Sequence, residues 1–141
     1  MIKHASAVWT GGLKDGGGTL STETGVLKDS PYGFKSRFEN GRGTNPEELI
    51  GAAHAGCFSM ALSLILGNAG LTAERIETRA AVTLDKVGEG FEITSSHLDV
   101  VAKIPGATPE KFAELANQAK VGCPVSKLLK AKITLDARLE T

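Results

Sequence analysis

Cysteine is scarce in this 141-residue sequence. There are two, Cys57 and Cys123, too few for the disulfide framework of a small secreted domain. They form no CxxC pair, so the thioredoxin type of dithiol finds no support. Net charge is missing as well. Sixteen Lys and Arg balance sixteen Asp and Glu, which removes the basic field that a sequence-independent nucleic-acid binder needs. Aromatic residues make up only 5%, with one Trp and one Tyr. The opening residues Met1-Ile2-Lys3-His4 lack the apolar run of a signal peptide. A reducing, cytoplasmic setting is the expectation, and two thiols there are catalytic, metal-binding or inert core.

What is present suits one globular domain over residues 1–141: 41% apolar and 23% charged residues. A chain of zero net charge has little electrostatic defence against self-association, so a specific oligomer is expected. Seventeen glycines, several clustered, imply special turns. His4 to Thr10 and Thr19 to Leu27 read as strands around a glycine-rich connection, and Asp29-Ser30-Pro31-Tyr32-Gly33 as a turn. Phe34 to Glu39 alternates with period two, which predicts a third strand with Arg37 opposite the phenylalanines. The opening is a β-meander.

A long helix follows. Asn45 is placed to cap it, Pro46 suits its first position, and Glu47 and Glu48 favour its positive end. It runs to about Leu66, and from Leu49 to Ala73 there is no Asp, Glu, Lys or Arg. Apolar nearly all round, it must be buried on most sides. His54, Asn68 and four glycines interrupt the stretch and argue against a membrane span. One sheet covers only one side of such a helix, so an intertwined dimer is expected to bury the rest. Ile76 to Val87 and Phe91 to Ile104 read as a strand hairpin. Thr108 caps a second helix, Gly122-Cys123-Pro124 ends it and starts a third, and Lys132 to Glu140 closes the chain as a strand. The fold class is α+β.

The chemistry must come from a few side chains. Cys57 lies within the long helix, where burial alone raises a thiol pKa, so a reactive Cys57 needs a cation. Arg37, Arg42 and Lys14 are the candidates. Cys123 precedes a proline that opens a helix, where unpaired N–H groups favour a thiolate. The two cysteines are 66 positions apart; if the fold brings their Cα atoms within ~7 Å they can cycle between dithiol and disulfide. His54, one turn before Cys57, leaves two alternatives open. With Cys57 and Cys123 it makes a zinc-binding or redox-sensing set, and with Cys57 alone the pair of a thiol hydrolase.

The segment Gly43-Thr44-Asn45-Pro46-Glu47-Glu48-Leu49-Ile50-Gly51-Ala52-Ala53-His54-Ala55-Gly56-Cys57-Phe58-Ser59-Met60 resembles the signature of the OsmC/Ohr family of thiol peroxidases. So does Ala119-Lys120-Val121-Gly122-Cys123-Pro124-Val125-Ser126 around the second thiol. The Pro-Tyr-Gly-Phe turn and Ser36-Arg37-Phe38-Glu39 are similar to the OsmC branch, and the resemblance runs over essentially the whole chain.

It implies a homodimer of intertwined subunits, each a β-meander, a central helix and a second β/α half, with sites at the subunit interface. It also implies a peroxidase for organic hydroperoxides, with Cys57 peroxidatic and Cys123 resolving. The family's glutamate maps onto Glu47 and its arginine onto Arg37. No metal or prosthetic cofactor is implied, only an external dithiol reductant of lipoyl type, with neither nucleic acid nor membrane as partner. Glu47 and Cys57 lie ten residues apart, ~15 Å along one straight helix, so either the helix starts later than Pro46 or, the favoured reading, Glu47 reaches the Cys57 of the other subunit.

Overall fold

The structure is a computed structural model that describes residues 1–140. The chain forms two compact units, Met1–Leu49 and the remainder from Ile50. In the first, strands β1 (Ala5–Thr10), β2 (Gly17–Thr22) and β3 (Ser30–Tyr32) form an antiparallel meander in that order. Gly18 pairs with Trp9 on one side and Tyr32 on the other. A methyl group there would stand 2.6 Å from the Tyr32 ring and 2.7 Å from the Trp9 ring. Its hydrogen atom instead lets the two rings meet edge to face, 5.4 Å between centroids.

Three expectations for this unit differ from what is observed. Ser30 to Tyr32, expected inside a turn, is strand β3, because it pairs with Gly18 to Leu20 of β2. β2 ends at Thr22 rather than Leu27, because the hydroxyls of Thr22 and Thr24 accept from the N–H groups of Leu27 and Val26 and close a turn. The residues 34 to 38 are not a strand but a short helix, α1 (Phe34–Phe38). Ser36 closes its first turn by accepting from the Gly33 N–H and donating to the Gly33 carbonyl. Arg37 therefore rides on a helix, not a strand.

Helix α2 (Pro46–Asn68) begins in the first unit and continues through the second. Asn45 caps it, its Oδ1 accepting from the Glu48 N–H at 2.8 Å. Its amide group also donates to the Ser36 carbonyl at 3.0 Å, so one residue both starts α2 and ties α1 to it.

The second unit contains the sheet β4 (Arg75–Val87), β5 (Gly90–Lys103) and β6 (Lys132–Glu140), in that order. β4 and β5 form an antiparallel hairpin, and β5 and β6 run parallel. A parallel pair needs a crossover. Helices α3 (Pro109–Gly122) and α4 (Pro124–Leu128) supply it. Phe58, Leu62 and Leu66 of α2 share the core of this unit with Leu98, Val100 and Ala102 of β5 and with Phe112, Leu115, Ala116 and Ala119 of α3.

Among the described residues α2 is the one helix long and apolar enough to cross a membrane. Its buried row, Gly51, His54, Phe58, Leu62 and Leu66 at helical spacing, is the pattern of a core helix. Apart from Glu47 in the first turn, only this row is buried. Ala52, Ala53, Gly56, Met60 and Leu64 are exposed, Met60 to 77% and Leu64 to 66%. The helix predicted to be enclosed on most sides is covered along one side in a single chain.

Phe58 is fully buried, so its role is packing. Phe58→Ala is expected to cost about 3–5 kcal/mol, read as a lower urea midpoint; a cost under about 1 kcal/mol would contradict its place in the core.

Candidate active site

Arg37 and Glu47, predicted together, are paired within one chain. Arg37 Nε and NH2 both donate to Glu47 Oε1, at 3.2 and 2.8 Å. The pair is not the fork on two oxygens that an arginine and a carboxylate can make. Glu47 Oε2 is buried with no hydrogen-bond partner among the described residues. The Glu47 side chain is 10% exposed and that of Arg37 39%. The guanidinium also lies over the Phe38 ring, 5.4 Å from its centroid.

α1 gives Arg37 one more neighbourhood. Phe34 and Phe38 sit one turn apart with ring centroids 5.0 Å from each other. Together with Trp9, Leu13, Tyr32 and Arg37 they line a pocket of about 150 Å3. Trp9, Leu13 and Tyr32 were not anticipated there, although the one Trp and one Tyr beside a glycine were a signal. Of the other candidate cations, Lys14 stands 5.8 Å from the Phe34 ring centroid and Arg42 is exposed.

The thiols form the second group. Cys123 is fully buried and Cys57 partly so, and both are free. They are neighbours: burial pushes the Cys57 thiol up, and the adjacent Cys123 thiol pushes it further. The Val125 N–H, on α4 just beyond Cys123, pulls the other way. The N–H expected to favour a Cys123 thiolate thus faces Cys57 instead, and Cys123 makes no side-chain cap.

His54 stands one turn before Cys57, fully buried. Its Nδ1 is hydrogen-bonded to Ser96 Oγ at 2.6 Å and its Nε2 to Ser126 Oγ at 2.8 Å. With both ring nitrogens engaged, His54 is not available to ligate zinc or to act as base for Cys57, which removes the imidazole from both alternatives. A different group, His97, Asp99 and Asp136, brings three possible ligand atoms within 4.8 Å of one another. His97 Nε2 lies 3.0 Å from Asp136 and 3.5 Å from Asp99. Both carboxylates are more than half exposed, and Arg79 stands opposite Asp99 in the strand register. These contacts account for the cluster as ordinary ion pairing on a solvated face.

The model of the family described as OsmC-like protein matches residues 39–138. The chain belongs to the OsmC family. It is 56% identical over 139 residues to the Peroxiredoxin OsmC of Escherichia coli (strain K12), covering 99% of this chain and 97% of that one. It is 30% identical over 124 residues to the organic hydroperoxide resistance protein OhrB of Bacillus subtilis (strain 168), covering 87% and 88%. The crystal structure of OhrB of Bacillus subtilis matches with a TM-score of 0.68 at 26% identity, covering 97% of this chain and 98% of that one. An OsmC-like protein of Mycoplasma pneumoniae matches with a TM-score of 0.78 at 14% identity, covering 100% and 99%, and shares the fold.

Within this OsmC chain, sequence reasoning missed Ser96, Val125 and Ser126 around the thiols. Val125 and Ser126 both lay inside the second motif, directly beyond Cys123-Pro124, whereas Ser96 lay in neither motif.

Burial lowers the His54 pKa from the usual 6.5. The folded chain therefore favours the neutral ring, while the unfolded chain takes up the proton at its ordinary value. Stability is full above about pH 6.5 and falls as the pH drops below it. The urea midpoint should fall on acidification in that range, and less steeply in His54→Gln; an unchanged slope in the variant would assign the loss to other groups.

Proposed function

We propose that Cys57 is the peroxidatic thiol and Cys123 the resolving thiol of a cysteine-based peroxidase for organic hydroperoxides. The single observation that carries this reading is the contact of the two free thiols within one chain. The name organic hydroperoxide resistance protein, borne by relatives such as OhrB, supports the substrate class. The pocket beside Arg37, lined mainly by apolar and aromatic side chains, suits an alkyl group.

Three steps follow. The Cys57 thiolate attacks the distal oxygen of the hydroperoxide; an S–O bond forms, the O–O bond breaks, and the alcohol leaves with a proton. Arg37 holds the thiolate and steadies the leaving alkoxide, while Glu47 fixes the guanidinium through Oε1. Its unpartnered Oε2 is an acceptor for the hydroperoxide O–H. The product on Cys57 is a sulfenic acid. Cys123 condenses with it, releasing water and leaving a disulfide. An external dithiol of lipoyl type then reopens that disulfide by exchange in the cytoplasm. The chain itself contributes thiols, a guanidinium and a carboxylate, without metal or prosthetic group.

The cation that Cys57 needs comes, in this reading, from a second copy of the chain. Two observations support a homodimer with shared sites. The exposed apolar face of α2, with Met60 and Leu64 on it, needs cover. And ~15 Å of helix separates Glu47 from the Cys57 of its own chain.

Cys57→Ser should abolish turnover, whereas Cys123→Ser should allow one oxidation per chain and then stall; full activity of Cys57→Ser in a coupled peroxidase assay would overturn the assignment. Arg37→Lys should slow turnover, because an ammonium cannot keep both donors on Glu47. Arg37→Ala should move the pH midpoint of Cys57 alkylation upward, since only the Val125 N–H then opposes burial and Cys123. The shared site has its own test. Mixing Arg37→Ala chains with Cys57→Ser chains under exchange should restore part of the activity that neither has alone. No recovery, with mixed dimers demonstrated, would place each site within one chain.

A further inference from the structure

The mechanism above leaves one buried titratable group unused. His54 is fully buried, and a buried imidazole is costly unless both its nitrogens find partners. Both partners are hydroxyls, and neither lies on its own helix: Ser96 is on β5 and Ser126 on α4. A hydroxyl donates or accepts, so either neutral tautomer is served at both ends.

The place where this link is fastened decides what it does. α4 is a five-residue helix with no fully buried side chain, and Val125 is its one apolar residue packed against the core, so a bond to Ser126 adds materially to what holds it. The helix starts at Cys123 and carries the Val125 N–H that faces the Cys57 sulfur. His54 and Cys57 lie one turn apart on α2 and address the same segment, through Ser126 and through Cys123 with Val125. Oxidation of Cys57 replaces its S–H by S–OH and so changes its interaction with the neighbouring Cys123 thiol. The His54–Ser126 bond is untouched by that change.

We infer that His54 is a positioning residue for the resolving step: through Ser126 it pins the first turn of α4, so that Cys123 stays within reach of Cys57 after Cys57 has become a sulfenic acid. In that step the Cys123 sulfur attacks the Cys57 sulfur. The S–S bond forms, the S–O bond breaks, and the departing hydroxide takes up the proton that Cys123 has lost. Cys123 is oxidised, Cys57 is reduced, and no further oxidant is needed. His54 acts mainly on this step; it touches the attack upon the hydroperoxide only through the Val125 N–H that the same turn holds toward Cys57. The inference rests on the assignment of Cys57 and Cys123 proposed above.

The test separates the two steps. Oxidation of Cys57 by cumene hydroperoxide is followed by stopped flow, and the lifetime of the sulfenic acid by quenched trapping with a dimedone reagent and intact-mass analysis. Ser126→Ala should lengthen that lifetime about tenfold, the consequence of losing one buried hydrogen bond, and slow the oxidation step by a clearly smaller factor. Excess hydroperoxide should then convert more of Cys57 to the sulfinic acid. Ser126→Thr, which keeps the hydroxyl, should restore the short lifetime. At position 54 the amide nitrogen of Gln mimics Nε2 and that of Asn mimics Nδ1, so His54→Gln should resolve faster than His54→Asn. A lifetime in Ser126→Ala equal to that of the unaltered protein, or both steps slowed by one factor, would overturn the inference. Cys123→Ser run in parallel keeps the failures apart. If its sulfenic acid vanishes as fast as in the unaltered chain, the resolving role of Cys123 is wrong and the inference falls with it. If it persists while Ser126→Ala behaves normally, the inference alone is wrong.

Discussion

Everything chemical in the second unit depends on two sulfurs meeting inside one chain. Cys57 comes from a long helix and Cys123 from the junction of two later ones, and the contact is made while both are still thiols. The same contact works against reactivity. Burial and the neighbouring thiol both keep the proton on Cys57, and only the Val125 N–H opposes them. Preorganisation for the second step is obtained at a cost to the first, which is why the account requires a cation.

Arg37 and Glu47 are arranged for that task, yet incompletely. Two donors converge on one carboxylate oxygen and the other oxygen is buried without a partner. A buried acceptor left unpaired costs roughly 1–3 kcal/mol, a cost recovered when a donor arrives. In the site proposed above, completed by substrate and a second chain, that donor would be the hydroperoxide itself. The pocket lined by Trp9, Tyr32, Phe34 and Phe38 beside the guanidinium would take the alkyl part. Gly18, by keeping its position free of a side chain, lets two of those rings meet.

Much of the fold was legible because its signals are strong and local. The run without charge from Leu49 to Ala73, with Asn45 and Pro46 before it, located α2, and the glycines after Val87 located the hairpin. The stretch from Phe34 to Phe38 was misread because residues four apart share a face both in a helix and in a strand. Five residues cannot separate the two periods, and the deciding bonds of Ser36 to Gly33 leave no periodic trace. Threonines that read as strand at 22 and 24 instead use their hydroxyls on a turn. The family and the candidate residues were legible in two long motifs. The Arg37–Glu47 and Cys57–Cys123 contacts are consistent with the roles proposed for them. Illegible were the contacts that cross the chain: His54 with Ser126 spans 72 positions, and nothing local marks such a partner.

The most direct measurement is peptide mapping of the protein under non-reducing conditions after one equivalent of an organic hydroperoxide. The account predicts the Cys57 and Cys123 peptides joined to each other within a single chain, and their release by a dithiol. Cys57 joined to the Cys57 of another chain, or oxidised while Cys123 stays a free thiol, would contradict it.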